Sequence, residues 1–136
     1  MNISYTSNYI KNILKEVRTI AVVGASSKKQ RDSYKVMQCF IRNGYQVFPI
    51  NPNEAGKTIL GLRCLRNLEE IEENVDMVDI FRAHDAVMEV TKDAIKMGAK
   101  VLWMQEGIVH QEAADLAIST GLRVVMDRCP KKELNK

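Results

Sequence analysis

The chain has 136 residues, 46% of them apolar, and a formal charge of +3 from 20 basic and 17 acidic side chains. That size fits a single domain, residues 1–136, with one proper core. The small, scattered positive charge gives no sign of a nucleic-acid binder. With no run of 18 apolar residues and no signal-type N-terminus, a soluble cytoplasmic protein without a membrane partner is expected.

Residues 7–17 set Tyr9, Ile10, Ile13, Leu14 and Val17 at helical spacing, which predicts an amphipathic helix capped by Ser7 or Asn8 and packed beside a sheet. Thr19 to Val23 is a β-branched run. A helix with Tyr34, Val36, Met37, Phe40 and Ile41 follows, and Gly44 is placed to end it. Gln46 to Ile50 reads as the second strand. The segment Asn53 to Asn67 is too broken for a helix and predicts turns with a very short strand at Thr58–Leu60.

Val75 to Phe81 is the third long strand, its acids Asp76 and Asp79 read as facing outward near a sheet edge or helix boundary. A helix over Asp85–Met97, a strand over Ala99–Met104, a helix over Gln111–Thr120 and a strand over Leu122–Met126 complete the alternation. The polar tail 130–136 is expected to fray. Strands alternating with helices imply parallel pairing with right-handed crossovers, hence an α/β fold: a doubly wound, three-layer arrangement of about five parallel strands with helices on both faces.

In such a sheet ligands bind beyond the carboxyl ends of the strands, where strand order reverses. After strand one comes Gly24-Ala25-Ser26-Ser27-Lys28-Lys29-Gln30-Arg31-Asp32-Ser33. Gly24 lets backbone approach closely, the serines offer hydroxyls, Lys28, Lys29 and Arg31 add charge, and the amides opening the next helix can face an anion. The same loop also reads as an ordinary solvated turn with a serine cap. After strand two, Asn51-Pro52 stands where a nicotinamide site has an acid for the ribose; the second and third glycines of that motif are missing, and so is a phosphate-binding P-loop. Phe81 and Arg82 follow strand three, suited either to core packing and solvent or to covering a ligand and meeting a phosphate. Gln105, Glu106 and Gly107 follow strand four as a turn able to offer amide groups to a linear polar ligand.

Six blocks in order, "VVGAS" with Arg31 and Ser33-Tyr34, "GYQVFPINPN", "ILGLRCLRNLEEI", "VDMVDIFR", "VLWMQEGIVHQEAADLA" and "GLRVVMDRC", resemble the small stand-alone CoA-binding proteins, the YccU-like group. Their Rossmann-like fold is similar to the CoA-binding N-terminal domain of the succinyl-CoA synthetase α-subunit. The resemblance implies coenzyme A or an acyl-CoA as ligand, with Gly24, Ala25, Ser26, Arg31 and Ser33 around the phosphates and Asn51-Pro52 near the adenosine. It sets Phe81 and Arg82 along the nucleotide and pantetheine path, and Gln105, Glu106 and Gly107 near the pantetheine end. Ser27, Lys29 and Tyr34 complete the candidate set. Three phosphoryl groups favour added cations and disfavour a ribose-binding carboxylate.

No catalytic set and no metal site is expected. His84 and His110 lack an acid partner and nucleophile at recognisable spacing and read as surface or cap residues. Cys39, Cys64 and Cys129, odd in number and without CxxC spacing, read as buried or incidental thiols, although Cys129 could approach a CoA thiol. The alternatives to a CoA-binding protein are a small NAD(P)-dependent oxidoreductase on the same fold and a ligand-responsive accessory protein; homo-oligomerisation is open.

Overall fold

The computed structural model describes residues 3–136. In chain order the elements are α1 (Ser7–Glu16), β1 (Thr19–Val23), α2 (Asp32–Arg42), β2 (Gln46–Ile50), β3 (Thr58–Ile59), β4 (Leu62–Arg63), β5 (Met77–Ile80), α3 (His84–Lys96), β6 (Val101–Met104), α4 (Gln111–Ser119), β7 (Arg123–Val125) and α5 (Pro130–Leu134). Five strands form one parallel sheet in the order β2-β1-β5-β6-β7. The chain winds outward from β1 to β2, then crosses back to β5, so the topological switch lies between β1 and β5. This is the expected Rossmann-like architecture.

The strands of this sheet are mainly apolar on both faces because helices cover both. Ile20, Val22, Val47, Met77, Val101, Trp103 and Val125 face α1, α2 and α5. Ala21, Val23, Ile50, Val78, Ile80, Leu102, Met104 and Val124 face α3 and α4. The N-terminal helix buries Ile10, Ile13 and Leu14 as its spacing requires, but its cap is Thr6, whose Oγ1 accepts the Tyr9 amide at 3.1 Å, rather than Ser7 or Asn8.

Two further expectations change, and a third is met and extended. The tail 130–136 does not fray: Pro130 opens α5, Cys129 and Pro130 are buried, and the short helix packs against α2. Proline preset for a first helical position starts it, and its apolar face supplies the docking. The very short strand at Thr58–Leu60 is the first arm of a two-residue hairpin, Thr58–Ile59 against Leu62–Arg63, turning through Leu60 and Gly61 at φ 52° and 78°. Most consequentially, Asp79 does not face outward at an edge. Its strand is central, paired with β1 and β6, and the residue is fully buried between Val22 and Trp103 with neither carboxylate oxygen bonded to any described residue. Asp76, by contrast, lies before the strand and accepts the amides of Arg18 and Thr19 at 2.8 and 3.3 Å.

Candidate functional site

The turn leaving β1 is held down by the end of β2. Gly24 and Ala25 both donate their amides to the Ile50 carbonyl, at 2.9 and 3.1 Å, and Asn51 Nδ2 donates to the Ala25 carbonyl at 2.8 Å. Ala25 is fully buried, so neither its side chain nor its amide is offered to a ligand, which corrects its place around the phosphates. Gly24 stands at φ +94°, and a Cβ there would lie 2.6 Å from the Phe81 carbonyl oxygen. Only glycine lets β1 and β5 release their loops this close together.

Beyond the turn, Lys28 donates its amide to Ser26 Oγ at 3.1 Å and Arg31 bonds back to the Lys28 carbonyl at 3.1 Å. The chain then enters α2 without a side-chain cap. The first intrahelical bond runs from Lys35 N–H to the Arg31 carbonyl, so the amides of Asp32, Ser33 and Tyr34 have no helical acceptor and point off the helix start. Together with the helix dipole this is the standard physics of an anion seat.

A cavity of about 520 Å³ lies over that helix start, lined among others by Gly24, Ser26, Lys28, Arg31, Ser33, Asn51 and Phe81. The structure thus brings together residues from loops after β1, β2 and β5 that are far apart in sequence. Lys28, not Lys29, lines it. Tyr34, in the first turn of α2, is half-buried and packs against the core on that side of the sheet. Asn51 contributes mainly structure: its Nδ2 holds Ala25 and its Oδ1 caps the turn after β2 by accepting the Asn53 amide at 2.9 Å.

Two acids enter the same cavity, Asp32 and Glu54. Glu54 accepts the Ser27 amide at 2.8 Å and the Ser27 hydroxyl as well, and that hydroxyl is the main reason its carboxyl is held below its ordinary value. Ser27 is therefore committed to a side chain of the protein itself. Sequence reasoning missed Glu54: it sits on a single helical turn three residues beyond Asn51, and no spacing rule shows which way that turn aims it.

Four of the remaining candidates line two flanking cavities. Pro52 and Arg82, with Arg66 and Asn67, line one of about 150 Å³ beside α3. Gln105 and Glu106 line one of about 280 Å³ between α2 and α5, shared with Asp32, Lys35, Cys129, Lys131 and Lys132. Gly107, at φ +87°, donates its amide to Asp127 Oδ1 at 2.8 Å, a structural role in the turn. Gln105 is buried and its Oε1 has no donor among the described residues. A further cavity at the opposite end of the sheet, about 410 Å³, is bordered by Glu69, Glu72, Glu73 and Asp93 against the single cation Lys96 and is unsuited to phosphate.

His84 and His110 meet: their rings stack at 4.4 Å between centroids. His110 Nδ1 caps α4 by accepting the Ala113 amide at 3.1 Å. Among the described residues no group of three or more His, Cys, Asp or Glu is arranged to hold a metal ion, and no helix is long and apolar enough to cross a membrane.

The CoA-binding domain family matches residues 18–135, and the chain belongs to that family. YneT of Bacillus subtilis (strain 168), an uncharacterised protein, is 36% identical over 124 residues, covering 90% of this chain and 89% of YneT. A solved structure of a hypothetical protein from Pyrococcus horikoshii OT3 superposes with a TM-score of 0.90 at 35% identity, covering 99% of this chain and 97% of that one. The α subunit of an ADP-forming acetate–CoA ligase from Pyrococcus furiosus is 27% identical over 122 residues, but this chain spans only 26% of that protein's length.

Proposed function

We propose that the chain binds coenzyme A, or an acyl-CoA, along the carboxyl edge of its sheet and carries no complete catalytic set of its own. One observation carries the reading: the uncapped start of α2, whose first three amides have no helical acceptor, borders a cavity lined by Ser26, Lys28, Arg31 and Ser33, at the topological switch of a CoA-binding-family fold. The flanking cavities extend that seat in both directions. Pro52, Arg66 and Arg82, with Glu89 and Asp93, border the space toward β2 and α3, where the two guanidinium groups suit the 3′-phosphate of an adenosine. Gln105 and its neighbours border the space toward α5, which suits a linear arm bearing amides.

Calorimetric titration with CoA, acetyl-CoA, NAD and ATP tests this. Saturable binding of CoA, weakening with added salt, is expected; binding of NAD with none of CoA overturns it.

A second reading has one observation in its favour. Glu54 brings a carboxylate into the cavity although Asn51 takes the usual ribose position, so a dinucleotide's sugar has an acceptor after all. The nearby Lys28 and Arg31 would then meet the 2′-phosphate of an NADP-type cofactor. Saturable quenching of NADPH fluorescence would favour it; none is expected, because Glu54 is already satisfied by Ser27.

A further inference from the structure

We infer that Cys129 is a thiol-exchange residue that forms a mixed disulfide with the thiol-ended arm of the ligand. This rests on the CoA reading and extends it to the far end of the bound molecule.

Cys129 forms part of the wall of the 280 Å³ cavity between α2 and α5. The turn that carries it is fastened to the turn after β6. Gly107 N–H donates to Asp127 Oδ1 at 2.8 Å, Asp127 N–H to the Ile108 carbonyl at 3.2 Å, and Trp103 Nε1 to the Arg128 carbonyl at 2.8 Å. Lys132 bridges to Glu106 at 2.8 Å. The turn leading into Cys129 is therefore held on a fixed frame, and Cys129, 7% exposed, borders the same cavity as Gln105, which is 6% exposed.

Gln105 supplies the second, independent observation. Its Oε1 is buried and has no donor among the described residues. A buried carbonyl without a donor costs free energy unless something supplies an N–H. An arm built of secondary amides supplies one and ends in a thiol. Lys35, Lys131 and Lys132 border the same cavity together with the carboxylates of Asp32 and Glu106.

The step balances with a disulfide of the ligand's own thiol as co-reactant. The Cys129 thiolate attacks one sulfur of CoA disulfide; the S–S bond of the disulfide breaks and one between Cys129 and a CoA unit forms. The second CoA unit leaves as thiolate and takes up the proton Cys129 lost. Disulfide exchange requires neither an oxyanion seat nor a general base, and no histidine borders this cavity.

The test uses the full chain, oxidised with CoA disulfide and read by intact mass and peptide mapping. One CoA unit per chain on Cys129 is expected, in wild type and in a Cys39→Ser, Cys64→Ser double variant, and lost in Cys129→Ser. Gln105→Leu should slow reaction with CoA disulfide roughly tenfold, yet leave reaction with hydroxyethyl disulfide, which has no amide arm, at the wild-type rate. Modification spread equally over the three cysteines, or equal slowing of both disulfides in Gln105→Leu, overturns the inference. Calorimetry with reduced CoA on the same preparation separates the two claims. CoA binding without an adduct refutes the exchange alone, whereas no CoA binding refutes the seat on which it rests.

Discussion

The carboxylate of Glu54 receives both the amide and the hydroxyl of Ser27, so the anion closest to the turn after β1 is one the protein supplies. Lys28 and Arg31 are thereby faced by Glu54 and Asp32, and the formal charge bordering the cavity is balanced rather than positive. Incoming phosphates must gain their stabilisation from the α2 amides and displace or tolerate Glu54. Glu54→Gln keeps the shape and removes the charge. It should tighten CoA binding by on the order of 1 kcal/mol, about fivefold, in a calorimetric titration at low salt. Unchanged affinity would mean that no phosphate approaches Ser27.

Gly24→Ala is expected to damage both fold and seat. An alanine at φ +94° is strained, and its Cβ would meet the Phe81 carbonyl, a backbone atom that cannot swing aside. A loss of roughly 2–4 kcal/mol in chemical denaturation is expected, with CoA binding abolished in whatever remains folded. Gly44→Ala, at a site with open space around it, should cost less and leave binding intact.

The two neighbouring lysines should separate cleanly. Lys28 borders the cavity and Lys29 does not. Lys28→Ala should weaken CoA binding by on the order of 1 kcal/mol and flatten its dependence on salt, while Lys29→Ala changes neither. Equal effects would place the phosphates outside the cavity, in the general field of the loop.

Asp79 sets a pH dependence that belongs to the fold rather than the site. Burial pushes its carboxyl well above the ordinary carboxylate range, and no donor among the described residues offsets that. A group raised in the folded chain contributes stability below its unfolded value of about 3.9 and loses it as pH climbs through the folded value. Wild type should therefore lose stability as pH rises above about 4 until Asp79 has ionised, and Asp79→Asn should remove that slope. Asp79→Leu, which removes the two unpartnered carboxylate oxygens between Val22 and Trp103, should stabilise by about 1–3 kcal/mol at neutral pH in thermal unfolding. A destabilised Asp79→Leu would show that the carboxyl has a partner the fold depends on.

Much of this architecture was legible in the chain because its signals are local. Short apolar runs such as Ile20–Val23 and Val101–Met104, each followed by a helical pattern and a glycine, fix a parallel sheet whatever the tertiary details. The topological rule then brings Gly24, Arg31, Asn51 and Phe81 to one edge without any knowledge of distance. What escaped depends on packing. Asp79 looks like an outward residue because alternation of apolar and acidic side chains usually means that, and only the sheet order reveals β5 as central. The helix of the tail is five residues long and owes its existence to docking on α2. Glu54 and the choice of Lys28 over Lys29 depend on how a single turn is aimed, which composition does not encode.

The central claim is ligand choice at the carboxyl edge, and competition tests it most directly. A native mass spectrum of the protein mixed with equimolar CoA, NADPH and ATP should show one CoA per chain and no other adduct, with the CoA peak lost in Gly24→Ala. An NADPH or ATP adduct in preference to CoA, or a CoA peak that survives in a folded Gly24→Ala variant, would contradict it.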